Sequence, residues 1–278
     1  MKNFSILVVL RKAASDYYRY LGLYVGVGIA VTFVGWWGHA TTSYFSDRCG
    51  YLALRPASFD SLDVLLTYST RLLHFHPGWF FGFVIACAVA KLVELFFHCS
   101  VYALALQISS GSSVTRKSLL SLMRNVRTVF ARYVLATIFY GIIISFFLAL
   151  LAAPWSFLSF LPFPFSLQMP VVVLVTGLLL FVLLRSVSIF YFYPYLLLDK
   201  NIGAWQSLQQ SKEVVGALWK KVAVLAALLF FPLAGVGMVS WYFPTEWFGG
   251  VVLCGFLSVG VIASFTALAM AHVYRFLV

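Results

Sequence analysis

With 278 residues, 63% of them hydrophobic and 10% charged, the chain is far more apolar than a soluble domain, in which about a quarter of residues carry charge. Its mean hydropathy is +0.97. The formal net charge is +11, yet the basic residues sit in short segments beside hydrophobic runs, which is an orientation signal of membrane proteins. No basic module is long enough to fold on its own, so nucleic acid is excluded and membrane lipids with anionic headgroups become the expected partners.

Residues 2–20 mix both characters. Ile6, Leu10, Ala13, Tyr17 and Leu21 follow helical spacing, with Arg11, Lys12 and Arg19 off that stripe. This pattern predicts a helix lying at a membrane surface, basic side toward headgroups. No cleavable signal is read here, because the apolar run Phe4–Leu10 is too short for one. A first span is expected over Leu21–Tyr44, where Gly22 and Gly26 form a GxxxG and predict close helix packing. Residues 45–78 make the longest polar connection, with a short outer helix expected after Ser58–Ser61. His74 and His76 lack further ligands and predict no metal site.

A second span covers Trp79–Ile108 and carries Lys91, Glu94 and His98 at i, i+3 and i+7, on one helix face. Charge in hydrocarbon is costly, so this stripe is a candidate site. The next segment places Leu119, Leu122, Met123, Val126, Val129 and Phe130 on one face. Arg116, Lys117, Arg124 and Arg127 lie mostly on the other. A third span is expected over Tyr133–Ala153. Residues 154–170 hold Pro154, Pro162, Pro164 and Pro170 and no charge, which predicts an interfacial or re-entrant connection rather than continuous helix.

A fourth span, Val171–Tyr195, contains Arg185. A third amphipathic segment follows, with Trp205, Leu208, Val215 and Leu218 apolar and Lys212, Lys220 and Lys221 basic. The fifth and sixth spans fall over Val222–Tyr242 and Phe248–Tyr274. Cys49, Cys87, Cys99 and Cys254 form no CxxC and are read as packing residues, not disulfides.

Lysine and arginine crowd the N-terminus, residues 109–132 and residues 199–221, and are absent from 154–170 and 243–247. Both termini are therefore expected on the cytoplasmic side of an inner membrane, with six spans in an all-α bundle. One pattern recurs three times, over 1–108, 109–198 and 199–278: basic amphipathic helix, span, outer connection, returning span.

The run Tyr193-Pro194-Tyr195-Leu196-Leu197-Leu198-Asp199, followed by Gly203-Ala204, Ser207-Leu208 and Ser211, resembles a segment of bacterial YciC-like integral membrane proteins. Their relatives include the membrane domain fused to some glycerophosphodiester phosphodiesterases. The resemblance covers 190–215 by motif and 110–278 by organisation. It implies six spans and an envelope-associated role. The chain has no room for a soluble phosphodiesterase domain, so that activity does not carry over.

At about 1.5 Å per residue, Lys91 and Glu94 lie roughly 18 and 22 Å along their span, and Arg185 roughly 21 Å along its own. Similar depth predicts an interhelical Glu94–Arg185 pair, with Lys91 beside an anion- or lipid-binding cavity and His98 near the cytoplasmic interface. The competing explanation of these charges is a purely structural ion pair. There is no HExxH, GxSxG or Walker sequence, so neither an enzyme nor a cofactor is expected. The expectation is a non-enzymatic protein of envelope or lipid homeostasis. A small transporter or channel, or an accessory subunit with protein partners in the membrane, is the alternative.

Overall fold

The computed structural model describes residues 4–48, 77–157, 165–242, 253 and 256–278. The expected outer helix after Ser61, His74, His76, Cys49, Cys254, Pro162, Pro164 and the 243–247 turn lie outside the described residues. Those described are helical, with no strand among them. The helices are α1 (Ile6–Arg19), α2 (Leu21–Arg48), α3 (Pro77–Ser109), α4 (Arg116–Phe157) and α5 (Phe165–Phe190). Next come α6 (Tyr193–Lys200), α7 (Ala204–Val215) and α8 (Trp219–Tyr242), then a π-helical stretch, Phe256–Ala263, leading into α9 (Ser264–Leu277).

Among the described residues, four stretches are long and apolar enough to cross a membrane: Val84–Ser109, Lys117–Leu151, Met169–Lys200 and Phe256–Leu277. The number reaches six if each of two bent pairs makes one span. The all-helical membrane class read from hydropathy therefore holds.

The three amphipathic segments meet their following helices differently. The chain bends by 80° between α1 and α2, and by 106° between α7 and α8. Gly216, at φ +42°, stands at the second bend, in a backbone region that costs a side-chain-bearing residue energy. The middle segment runs into its span without a break. Residues 116–157 form one 42-residue helix, about 63 Å long. A bilayer with its headgroups is about 40–45 Å thick, so one end of α4 must project.

The proline-rich connection is shorter than expected. Pro154 lies inside α4, and Pro170 lies inside α5. Each removes one N–H from its ladder, a loss that neighbouring turns tolerate in apolar helices. Continuous helix thus reaches further into 154–170 than the proline count predicts.

The long helices close into a ring. α2 contacts α3, α3 contacts α4, α4 contacts α5, α5 contacts α8, α8 contacts the π-helical stretch, and that stretch returns to α2. α9 packs on α1 and α3. The short α6 packs on α3, α4 and α7, with Tyr193 through Leu198 buried. The GxxxG does not join this packing. Gly22 and Gly26 are exposed, and a methyl group added at either meets no atom within 4 Å.

Candidate functional site

The predicted charge stripe forms, but within one helix. Lys91 Nζ lies 2.9 Å from Glu94 Oε2, and His98 Nε2 lies 3.6 Å from Glu94 Oε1. One turn of α3 explains this: residues three and four apart face each other, so Glu94 finds both partners locally. The Lys91 side chain is 63% exposed, amid the exposed Ile85, Val89 and Leu92 of α3.

Arg185 is not Glu94's partner. Its guanidinium stands over the Trp219 ring at 5.7 Å, at the start of α8. The depth argument fixed position along each helix but not rotation about it. The predicted interhelical pair is thus replaced by an intrahelical triad and a cation–π contact.

The motif residues gather around α6. The turn at Tyr191–Phe192 separates α5 from α6 and leaves orphan backbone groups at both ends. Ser211 of α7 meets both: its Oγ accepts from the Phe192 N–H at 3.1 Å and donates to the Ile189 carbonyl at 2.7 Å. Pro194 lies in the first turn of α6, where its missing N–H costs nothing. The Tyr193 hydroxyl and Thr137 Oγ1 of α4 are 3.0 Å apart, and the Tyr195 hydroxyl donates to the Ala267 carbonyl of α9 at 2.7 Å.

Asp199 closes the other end of α6. Its Oδ2 accepts from the Tyr274 hydroxyl at 2.8 Å, and its Oδ1 lies 3.2 Å from Arg275 Nη2. Asn201 ends the helix in the left-handed region at φ +52°. Arg132 donates to both the carbonyl and Oδ1 of Asn201, at 2.9 and 2.8 Å. Gly203 starts α7, its N–H accepted by Gln206 Oε1 at 3.2 Å. An aromatic column from Tyr140 through Tyr193, Tyr133, Tyr102 and Tyr195 to Tyr274 fills the space around α6. Sequence reasoning named the motif but not Tyr274, Arg275, Arg132 or Asn201, whose separation in sequence hides their contact.

The basic segments converge. His272 Nε2 lies 2.9 Å from Asp16 Oδ2, and Lys221 Nζ donates to the Phe4 carbonyl at 3.3 Å. With Arg132–Asn201 and Asp199–Arg275, these contacts bring α1, the start of α4, the α6–α7 region, the start of α8 and the C-terminus to one end. Thirteen of the nineteen lysines and arginines fall in these segments. Arg11, Lys12, Lys117, Arg124, Arg127, Lys212 and Lys220 have exposed side chains there, whereas Lys221 is half-buried against Phe4. For Arg116 only the backbone, at the start of α4, is described.

At the same end, α3, α4, α6 and α9 line an open pocket of about 250 Å³, with Asp199 and Arg275 in its wall. No group of three metal-ligating side chains occurs among the described residues. Comparison with protein-family models, curated proteins and solved structures gives no match.

Proposed function

We propose that the chain is a six-span inner-membrane protein with both termini cytoplasmic, non-enzymatic, acting in envelope or lipid homeostasis by holding anionic headgroups on its basic end. One observation carries this reading: the basic segments, separate in sequence, share one end of the bundle, and most of their cations are exposed. Each basic residue near an anionic leaflet contributes about 1 kcal/mol of attraction. The resemblance of 190–215 to YciC-like proteins supports the same envelope-associated role.

The test is reconstitution of the full chain into vesicles of phosphatidylcholine with and without phosphatidylglycerol. Crosslinking of Lys117, Lys212 and Lys220 to headgroups should rise with phosphatidylglycerol and fall with salt. Indifference to both would remove the reading. Protease protection of tags at each terminus checks orientation.

The break at Tyr191–Phe192 favours a second reading, a small transporter, since interrupted helices mark transport sites. Ion flux across the same vesicles, dependent on the protein, would decide for it.

A further inference from the structure

The open pocket at the basic end is lined by two charged residues, Asp199 and Arg275, and by the carboxamides of Gln107 and Asn125, which have no hydrogen-bond partner among the described residues. The geometry points to it as a binding site for a zwitterionic phosphate ester bearing an ammonium group. That is the chemistry of a phosphatidylethanolamine headgroup or of free phosphoethanolamine.

Charge is the first ground. One carboxylate and one guanidinium leave the wall formally neutral, so it matches a ligand with one charge of each sign rather than a simple anion. Unused hydrogen-bonding capacity is the second. Arg275 has five N–H donors and directs one nitrogen at Asp199. Its side chain is 37% exposed, leaving donors for phosphate oxygens. Asp199 takes one contact on each oxygen, and a carboxylate has about four lone-pair sites. The remaining sites suit an N–H donor.

Gln107 of α3 and Asn125 of α4 also line the cavity, and neither side chain makes a hydrogen bond to another described residue. Each offers a donor and an acceptor beside the ionic pair. Buried Leu106 and Leu198 supply an apolar wall for the ligand's methylenes.

Size is the third ground. A volume of about 250 Å³ is room for several waters. It is on the scale of a headgroup, and because the pocket is open, a lipid's chains would lie outside it. This site goes beyond the proposed docking of basic helices, because it selects a zwitterionic headgroup rather than an anionic leaflet.

The experiment uses the full chain, purified in detergent and stripped of lipid. Calorimetry measures binding of O-phosphoethanolamine, of phosphocholine and of inorganic phosphate. Nanodiscs of phosphatidylethanolamine and of phosphatidylcholine, compared by headgroup crosslinking, form the second arm. Phosphoethanolamine or its lipid should bind about tenfold more tightly than the choline counterpart, which has no N–H for Asp199. Saturable binding of free phosphoethanolamine identifies the headgroup alone as sufficient, and preference seen only in nanodiscs identifies the lipid as the source. Both outcomes support the site.

Gln107→Leu and Asn125→Leu break no internal hydrogen bond, so their melting temperatures should match the parent. Each should weaken binding about tenfold. Gln209→Ala, at an exposed position of α7 outside the pocket wall, should leave it unchanged. Equal binding of ethanolamine and choline forms in both arms, or affinity unaffected by Gln107→Leu and Asn125→Leu, would overturn the proposal.

Discussion

Lys91 and Glu94 hold each other across a single turn of α3, nitrogen to oxygen at 2.9 Å. A carboxylate satisfied by its own helix has no need of a cation on another. Glu94→Gln and Arg185→Gln should therefore add independently. The double variant's loss of unfolding free energy should equal the sum of the singles within about 0.5 kcal/mol. Chemical denaturation in detergent measures this, and a coupling well above that figure would restore the interhelical pair.

Asp199 accepts from a fully buried tyrosine and from an arginine at once. Asp199→Ala orphans both, and should cost about 3 kcal/mol. Tyr274→Phe removes one bond and one hydroxyl together, and should cost about 1 kcal/mol. Thermal unfolding of the two variants should rank them in that order. The opposite ranking would mean that Asp199 is not the acceptor that matters.

Ser211 bridges two helix ends, so Ser211→Ala leaves a buried N–H and a carbonyl without partners, a loss of about 1–3 kcal/mol. Ser207, equally buried on α7, donates only to the Ala204 carbonyl in its own turn, at 2.7 Å. Ser207→Ala should cost less than about 1 kcal/mol. Limited proteolysis at the α5–α6 turn should accelerate in the first variant and not in the second.

Asn201 combines a left-handed backbone with an acceptor for Arg132. Asn201→Ala should lose the Oδ1 acceptor, keep the carbonyl one and strain the left-handed backbone, and Asn201→Gly should recover the conformational part, about 1 kcal/mol. Equal stability of the two variants would show that the backbone conformation carries no cost here.

Gly22→Ala and Gly26→Ala should each be neutral or stabilising, by up to about 1 kcal/mol, since alanine is the better helix former and nothing lies within 4 Å. Loss of stability, or of a self-associated species in crosslinking, would reveal a partner helix on that face.

These cases mark what the sequence could disclose. Hydropathy located the helices because lipid imposes one simple requirement on twenty consecutive residues. Helical spacing likewise placed Ala13, Tyr17, Val126, Val129, Leu208 and Val215 on faces that are buried. Rotation about a helix axis was not legible for uniformly apolar spans, which is why Gly22, Gly26 and the Glu94–Arg185 pairing were misread. Long-range partners such as Asp16 and His272, 256 positions apart, leave no local pattern. The Tyr193–Ser211 motif was visible only as a resemblance. Its contacts explain it physically: it joins α5, α6 and α7 and anchors them to α4 and α9.

The unbroken length of α4 has a mechanical consequence. Helices α1 and α7 meet their spans at sharp corners, so each is free to stay flat on a surface while its span tilts. Residues 116–132 have no such joint. If a thinner bilayer tilts α4 to relieve hydrophobic mismatch, the projecting end must swing with it. A tilt of about 10° over the roughly 63 Å rod displaces its tip by about 11 Å. Such a swing would carry Lys117, Ser121 and Asn125 with the span and would work against the fully buried Val126 and Val129 and the Arg132–Asn201 contact, which tie this end of α4 to the bundle.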